Sequence, residues 1–246
     1  MIAKTLSKRH IGAERDFRWR GAEVSRLEGF CDAVFAFAVT LLVVSLEVPR
    51  TFSELLGVMR GFVAFALSFS MLFWVWFRHY RFFRRYGLVD TPTIVLSGAL
   101  VFVVLFYVYP LKFLFTLLAD QFFGVPIVTE GPQAVIRDAQ LPLLMVIYGL
   151  GFAAVHVLFV LLSAHALRCA GALELSAAER RGTRVGMIRD GLNVGVAGAS
   201  VLIALSWRDA AFWSGMTYFL LAPLHFAVGT WLGRAARRAR AAAEQG

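Results

Sequence analysis

The sequence predicts an all-α polytopic membrane protein with six transmembrane helices. Of its 246 residues, 59% are hydrophobic, and the mean hydropathy is +0.69. Soluble domains hold about 45–50% apolar residues, so the excess belongs in lipid. The apolar residues gather in six windows, at 27–48, 57–77, 92–118, 141–166, 186–206 and 210–232. Each approaches the ~20 helical residues needed to cross a ~30 Å hydrocarbon layer. None shows the alternation expected of the ~10-residue strands of a membrane barrel.

Taken in order, the windows are separated by short connections, and residues 1–246 read as a single membrane domain. A basic arm spans 1–23, the six-helix region 24–233 and a basic, helical tail 234–246. The arm lacks the 7–15-residue apolar stretch of a cleavable signal, so the first window is expected to direct its own insertion. The segment 119–140 between the third and fourth windows reads as a long outer loop. The 169–186 connection contains Ser176 and Glu179, the spacing of a capping box opening a short helix. The fifth window begins with Gly191, Gly195 and Ala199, a small-residue stripe expected to let helices approach closely.

Charge orients the chain. Lys and Arg residues of the arm together with Arg26, of the second-to-third and fourth-to-fifth connections and of the tail make up 19 of the 25 basic residues. These segments share one side of an even-numbered bundle, which predicts both termini in the cytoplasm, in a bacterial inner (plasma) membrane. The net charge of +9 is therefore topology signal and calls for no nucleic acid. Cys31 and Cys169 fall near cytoplasmic helix ends, a reducing side where buried thiols pack as small hydrophobes rather than forming a disulfide.

Catalysis finds no support, and no cofactor is expected. The five histidines, His10, His79, His156, His165 and His225, show neither H-E-x-x-H nor a Cys/His metal spacing, so no metal site is expected. "YGLG" at 148–151 lacks the glycine pattern of a nucleotide loop. A mid-membrane histidine is a functional candidate by default; for His156 the better reading is a hydrogen bond to a neighbouring helix. Arg189, Asp190 and Asn193 crowd one end of the fifth window and are expected to pair with each other or with a neighbouring helix.

The first window, "RLEGFCDAVFAFAVTLLVVSLEVP" at 26–49, is the informative one. A mid-helix carboxylate costs about 2.5–3.5 kcal/mol on insertion scales, less near an end, so Asp32 implies a partner or water. At 100° per residue, Phe30, Ala33, Phe37, Leu41 and Val44 share one stripe. Gly29, Ala33, Ala36 and Thr40 form a small-residue stripe beside it.

"R-L-E-G-F-C-D" at 26–32 resembles the R-x-x-x-F-S-D signature of the endolysosomal and bacterial six-span potassium channel family, the transmembrane protein 175 type, which has no T-V-G-Y-G filter. "FWVWFRHYRFF" at 73–83 resembles the W-x-x-H segment ending that family's second span. The resemblance implies a homotetramer with the first helix of each subunit lining a central pore permeable to potassium ions. By position it places Phe37 at a hydrophobic constriction, Thr40 at a threonine layer, and Leu41 and Val44 further out. It implies that Arg26, Phe30, Cys31, Asp32, Trp76 and His79 form the signature network, with Asp32 fixing the rotation of the pore helix. Cys31 replaces the signature serine, and Phe37 replaces an aliphatic constriction. The expected function is a leak-like potassium channel; a non-conducting membrane scaffold and a proton-coupled small-solute transporter remain the alternatives.

Overall fold

The computed structural model describes residues 17–21, 23–44, 49–124, 136–206 and 211–243. These form α1 (Arg26–Val44), α2 (Phe52–Arg60), α3 (Phe62–Tyr86), α4 (Thr91–Phe123), α5 (Leu141–Arg168), α6 (Ala177–Ser206), α7 (Ala211–Met216) and α8 (Leu221–Ala243). One-turn 3₁₀ segments at Asp138–Gln140 and Thr217–Leu220 precede α5 and α8. Among the described residues, six helical stretches are long and apolar enough to cross a membrane, the last running from Ala211 to Trp231.

Local chemistry sets the boundaries. Ser25 Oγ accepts from the Glu28 amide and opens α1. Thr51 Oγ1 accepts from the Glu54 amide, while Glu54 accepts from the Arg50 amide at 2.6 Å. α2 is therefore a capped, separate helix, and the second span starts after Gly61 rather than at residue 57. It also runs past residue 77. Arg78, Arg81, Arg84 and Arg85 lie in its last turns because their long apolar stems can be buried while the heads reach polar groups. Gly87, at φ +60°, ends it in the left-handed conformation that glycine adopts without steric cost. Asp90 caps α4 through Thr93.

The Ser176–Glu179 capping box is present, with bonds of 2.8 and 3.2 Å in the two directions. It opens α6 itself rather than a short separate helix, since the Ala- and Arg-rich residues that follow favour helix and nothing stops them. The last span is broken instead. Pro223 lacks the amide for a regular helical bond, and the 3₁₀ turn at Thr217–Leu220 lies just before it. The segment 119–140, expected to be an outer loop, is described only at its two ends. The basic tail is helical to Ala243.

The contacts divide the chain into two compact units. Unit one comprises residues 1–133 and 165–181; unit two comprises 134–164 and 182–246. In the first, α1, α3 and α4 pack pairwise, with Ala38, Leu42 and Leu100 fully buried where they meet. In the second, α5 and α6 approach closely at Gly149, where an added Cβ would lie 2.4 Å from Val201. Ser200 and Ser214 exchange hydroxyl-to-carbonyl bonds of 3.0 and 2.8 Å and tie α6 to α7. The Gly191, Gly195 and Ala199 stripe is exposed, and nothing stands within 4 Å of a Cβ at either glycine. Within the described chain the close helix approach is at Gly149.

Candidate functional site

α1 is divided lengthwise. Glu28, Cys31, Phe35, Ala38 and Leu42 are buried against α3 and α4. Arg26, Gly29, Phe30, Ala33, Ala36, Phe37, Thr40, Val43 and Val44 are exposed on the other side. With 100° per residue, the centre of the exposed face falls near Ala33 and Thr40, about 40–60° from Phe37 toward the small residues. Phe37 is 56% exposed and Val44 70%, so both lie on this face; Leu41 is half-buried at its margin. Thr40 Oγ1 donates to the Ala36 carbonyl at 3.0 Å, which orients the hydroxyl and leaves its lone pairs unused by that bond.

The exposed surface of α4 looks different. On α4 the exposed residues include Phe102, Phe106 and Tyr109, all large. On α1, Gly29, Ala33, Ala36 and Thr40 leave a shallow groove. Small residues on a membrane helix permit close approach of another helix.

Polar tethers hold the opposite side. Trp76 Nε1 donates to Asp32 Oδ1 at 2.8 Å, and the Trp76 ring stacks on Tyr80. His79 is fully buried and pairs with Ser97 Oγ on α4 at 3.1 Å, not with Asp32. Its ring is flanked by Phe35 and Phe83. Asp32 and Trp76 therefore meet directly, while His79 acts through α4. Arg26 and Phe30 are exposed on the open face, away from those contacts, and Cys31 is fully buried.

A further tether is one that the sequence reading omits. Arg84 Nη2 donates to Glu28 Oε1 at 3.0 Å, with only 12% and 4% of the two side chains exposed. Arg84 Nη1 also donates to the Gly21 carbonyl at 2.8 Å. A parallel pair anchors the segment before α1. Both terminal nitrogens of Arg20 donate to Glu179, each at 2.9 Å, and its Nε donates to the Leu173 carbonyl. Gly21 is required there, because a Cβ would lie 2.4 Å from the Phe83 carbonyl oxygen. The available signal was Glu28 itself, a second acid one turn before Asp32 in an apolar helix. Its partner, 56 positions away, had no local mark.

Unit two holds a separate buried cluster. His156 Nδ1 lies 2.8 Å from Asp190 Oδ1, and Asn193 Nδ2 lies 3.2 Å from the same nitrogen. His225 Nε2 reaches Asn193 Oδ1 at 2.8 Å. His156 and Asp190 thus meet across α5 and α6, and α8 joins through His225.

Comparison with known proteins follows the same lines. The family described as "Endosomal/lysosomal potassium channel TMEM175" matches residues 26–107, which hold α1, α2, α3 and half of α4. A protein of Marivirga tractuosa named "Potassium channel" is 37% identical over 235 residues, covering 93% of this chain and 95% of its own. A potassium channel of Chamaesiphon minutus is 33% identical over 97 residues, 36% of this chain and 48% of its own. Among solved structures, a variant of the potassium channel MtTMEM175, crystallised with a nanobody–MBP fusion, superposes with a TM-score of 0.81 at 36% identity. That match covers 91% of this chain and 100% of the other. A lysosomal potassium-selective channel TMEM175 homologue from Chamaesiphon minutus shares the fold, with a TM-score of 0.52 at 23% identity over 82% of this chain and 96% of its own. With near-complete coverage in both sequence and structure, this chain belongs to the TMEM175 potassium channel family.

Proposed function

We propose that the protein is a potassium-permeable, leak-like cation channel, a homotetramer in which α1 of each subunit lines a central pore. The observation that carries this reading is the open face of α1, where small residues, one threonine and the phenylalanines Phe30 and Phe37 line up on a helix otherwise packed into its subunit. Four such faces around an axis bring Phe37 side chains together as a dry constriction. Hydrophobic constrictions gate by dewetting. Thr40, one turn beyond, supplies oxygens that can replace part of the ion's hydration shell. Leu41 and Val44 border the wider passage. The names of the relatives support potassium as the permeant ion. The basic bias of the connections supports cytoplasmic termini in a bacterial inner membrane.

The test is potassium flux from proteoliposomes holding equal amounts of folded protein. Phe37→Ala raises flux and lowers discrimination against sodium, because the constriction widens and wets. Phe35→Ala and Val39→Ala, off the open face, change stability rather than conductance. Unchanged flux in Phe37→Ala alongside a rise in Phe35→Ala refutes the assigned helix rotation. Absence of flux in every variant returns the scaffold reading.

A further inference from the structure

We propose that Asp90, His165 and Cys169 form a binding site for a soft divalent transition-metal ion of the zinc type, linking the start of α4 to the end of α5. His165 Nε2 lies 2.6 Å from Asp90 Oδ2, and Cys169 Sγ lies 3.8 Å from the same nitrogen. All three ligand atoms fall within 4.8 Å of one another. His165 and Cys169 are one helical turn apart, so they project from one face as a chelating pair. The Cys169 amide still bonds the His165 carbonyl at 3.0 Å, which keeps that turn helical past the end of α5.

The geometry fits an ion. Bonds of about 2.0–2.3 Å in a tetrahedron separate ligand atoms by roughly 3.3–3.8 Å. The sulfur–nitrogen pair already stands at that separation, and the carboxylate reaches it by withdrawing roughly 1 Å, a side-chain rotation. Asp90 is also held from behind. Its Oδ1 accepts from the Thr93 hydroxyl at 2.5 Å and from the Thr93 amide, which leaves Oδ2 aimed at His165. Ligating carboxylates and imidazoles are commonly oriented by such outer bonds. A His–Asp ion pair alone does not use the thiol, whereas soft metals prefer it. The group is half-buried, with His165 14% and Asp90 41% exposed, so an ion can enter and keep water as a fourth ligand. On binding, the thiol loses its proton to solvent and the thiolate donates an electron pair to the metal; nothing is oxidised.

The experiment titrates the tag-free full chain, reduced and in lipid nanodiscs, with Co²⁺ as an optical probe, then displaces it with Zn²⁺. One Co²⁺ per chain gives a thiolate-to-cobalt charge-transfer band. Cys169→Ser abolishes that band, whereas Cys31→Ser retains it. His165→Gln and Asp90→Asn weaken Co²⁺ affinity by at least about tenfold. Asparagine remains a good helix cap, so Asp90→Asn isolates the ligand from the fold. Zn²⁺ raises the melting temperature of the wild type but not of Cys169→Ser. A wild type with no thiolate band, or a band that survives in Cys169→Ser, overturns the proposal.

Discussion

Replacing Glu28 and Arg84 by glutamine, singly and together, tests what seats α1. The pair is 3.0 Å apart and nearly enclosed. At that distance the attraction is roughly 5–6 kcal/mol for an effective dielectric of 20, opposed by the cost of desolvating both ions. Removing one partner leaves the other charge buried and unmatched, which costs about 3–5 kcal/mol. Glutamine preserves shape and some hydrogen bonding, so each single variant belongs at the lower end, about 3 kcal/mol. In a chain of this length that corresponds to a fall of roughly 6–12 °C in Tm. Arg84→Gln also loses the contact over the Tyr80 ring and a charged donor to Gly21, and so falls further than Glu28→Gln. The double variant has no orphaned charge. Its loss is smaller than the sum of the singles by at least about 2 kcal/mol, the coupling read from a double-mutant cycle. The assay is thermal unfolding of the purified protein in one fixed detergent. Additive losses, or single variants within 2 °C of the wild type, refute the pair as a tether.

Three further outcomes are expected. Asp32→Ala lowers stability and assembly more than Cys31→Ser does, because it leaves Trp76 Nε1 without its acceptor whereas a hydroxyl fits the Cys31 site; equal yields of folded, assembled protein contradict this. Gly21→Ala costs about 1–3 kcal/mol through overpacking against the Phe83 carbonyl, read as a lower Tm, whereas Gly29→Ala on the open face leaves the isolated subunit's packing unaffected. Hydrogen bonds from the Arg50 amide and from Thr51 hold the Glu54 carboxyl below its ordinary value of 4.5. The α2 cap is therefore complete above that value and is lost as pH falls through the lowered one, so Glu54 and Arg50 amide NMR shifts titrate together below 4.5; a midpoint at or above it refutes the cap.

What the sequence made legible was what depends on neighbouring residues. Six spans follow from runs of apolar side chains, and the Ser176–Glu179 box is a three-residue signal read correctly as a cap. The length of α6 was not legible, because residues 177–185 are neither apolar nor broken by glycine or proline in a way that marks a boundary. The break at Gly61 was hidden inside an apolar run, and only the Thr51–Glu54 cap shows that α2 is a helix of its own. The phase of α1 followed from its period. Its centre lies nearer Ala33 and Thr40 than Phe37 because burial on the other side depends on where α3 and α4 sit. The Glu28–Arg84 pair and the Asp90–His165–Cys169 group are tertiary meetings, and no local pattern announces the partner.

The placement of charge on α1 has a mechanical consequence. With 100° per residue, Glu28 projects about 180° from Phe37, and Asp32 about 140° from it. Glu28 therefore lies on the side opposite the open face and Asp32 on its flank, one near the first turn and one a turn later. Two bonds at different heights, to Arg84 and to Trp76, resist rotation about the helix axis in a way that apolar packing does not, since Leu, Val and Phe can exchange places in a groove at small cost. A slip of one residue turns the helix by about 100° and moves Phe37 from its place on the open face. It would also pull Glu28 from Arg84 and leave both charges unmatched. The acids that burden insertion thus penalise the rotations that would move Phe37, the residue proposed to form the constriction, and the penalty acts within each subunit.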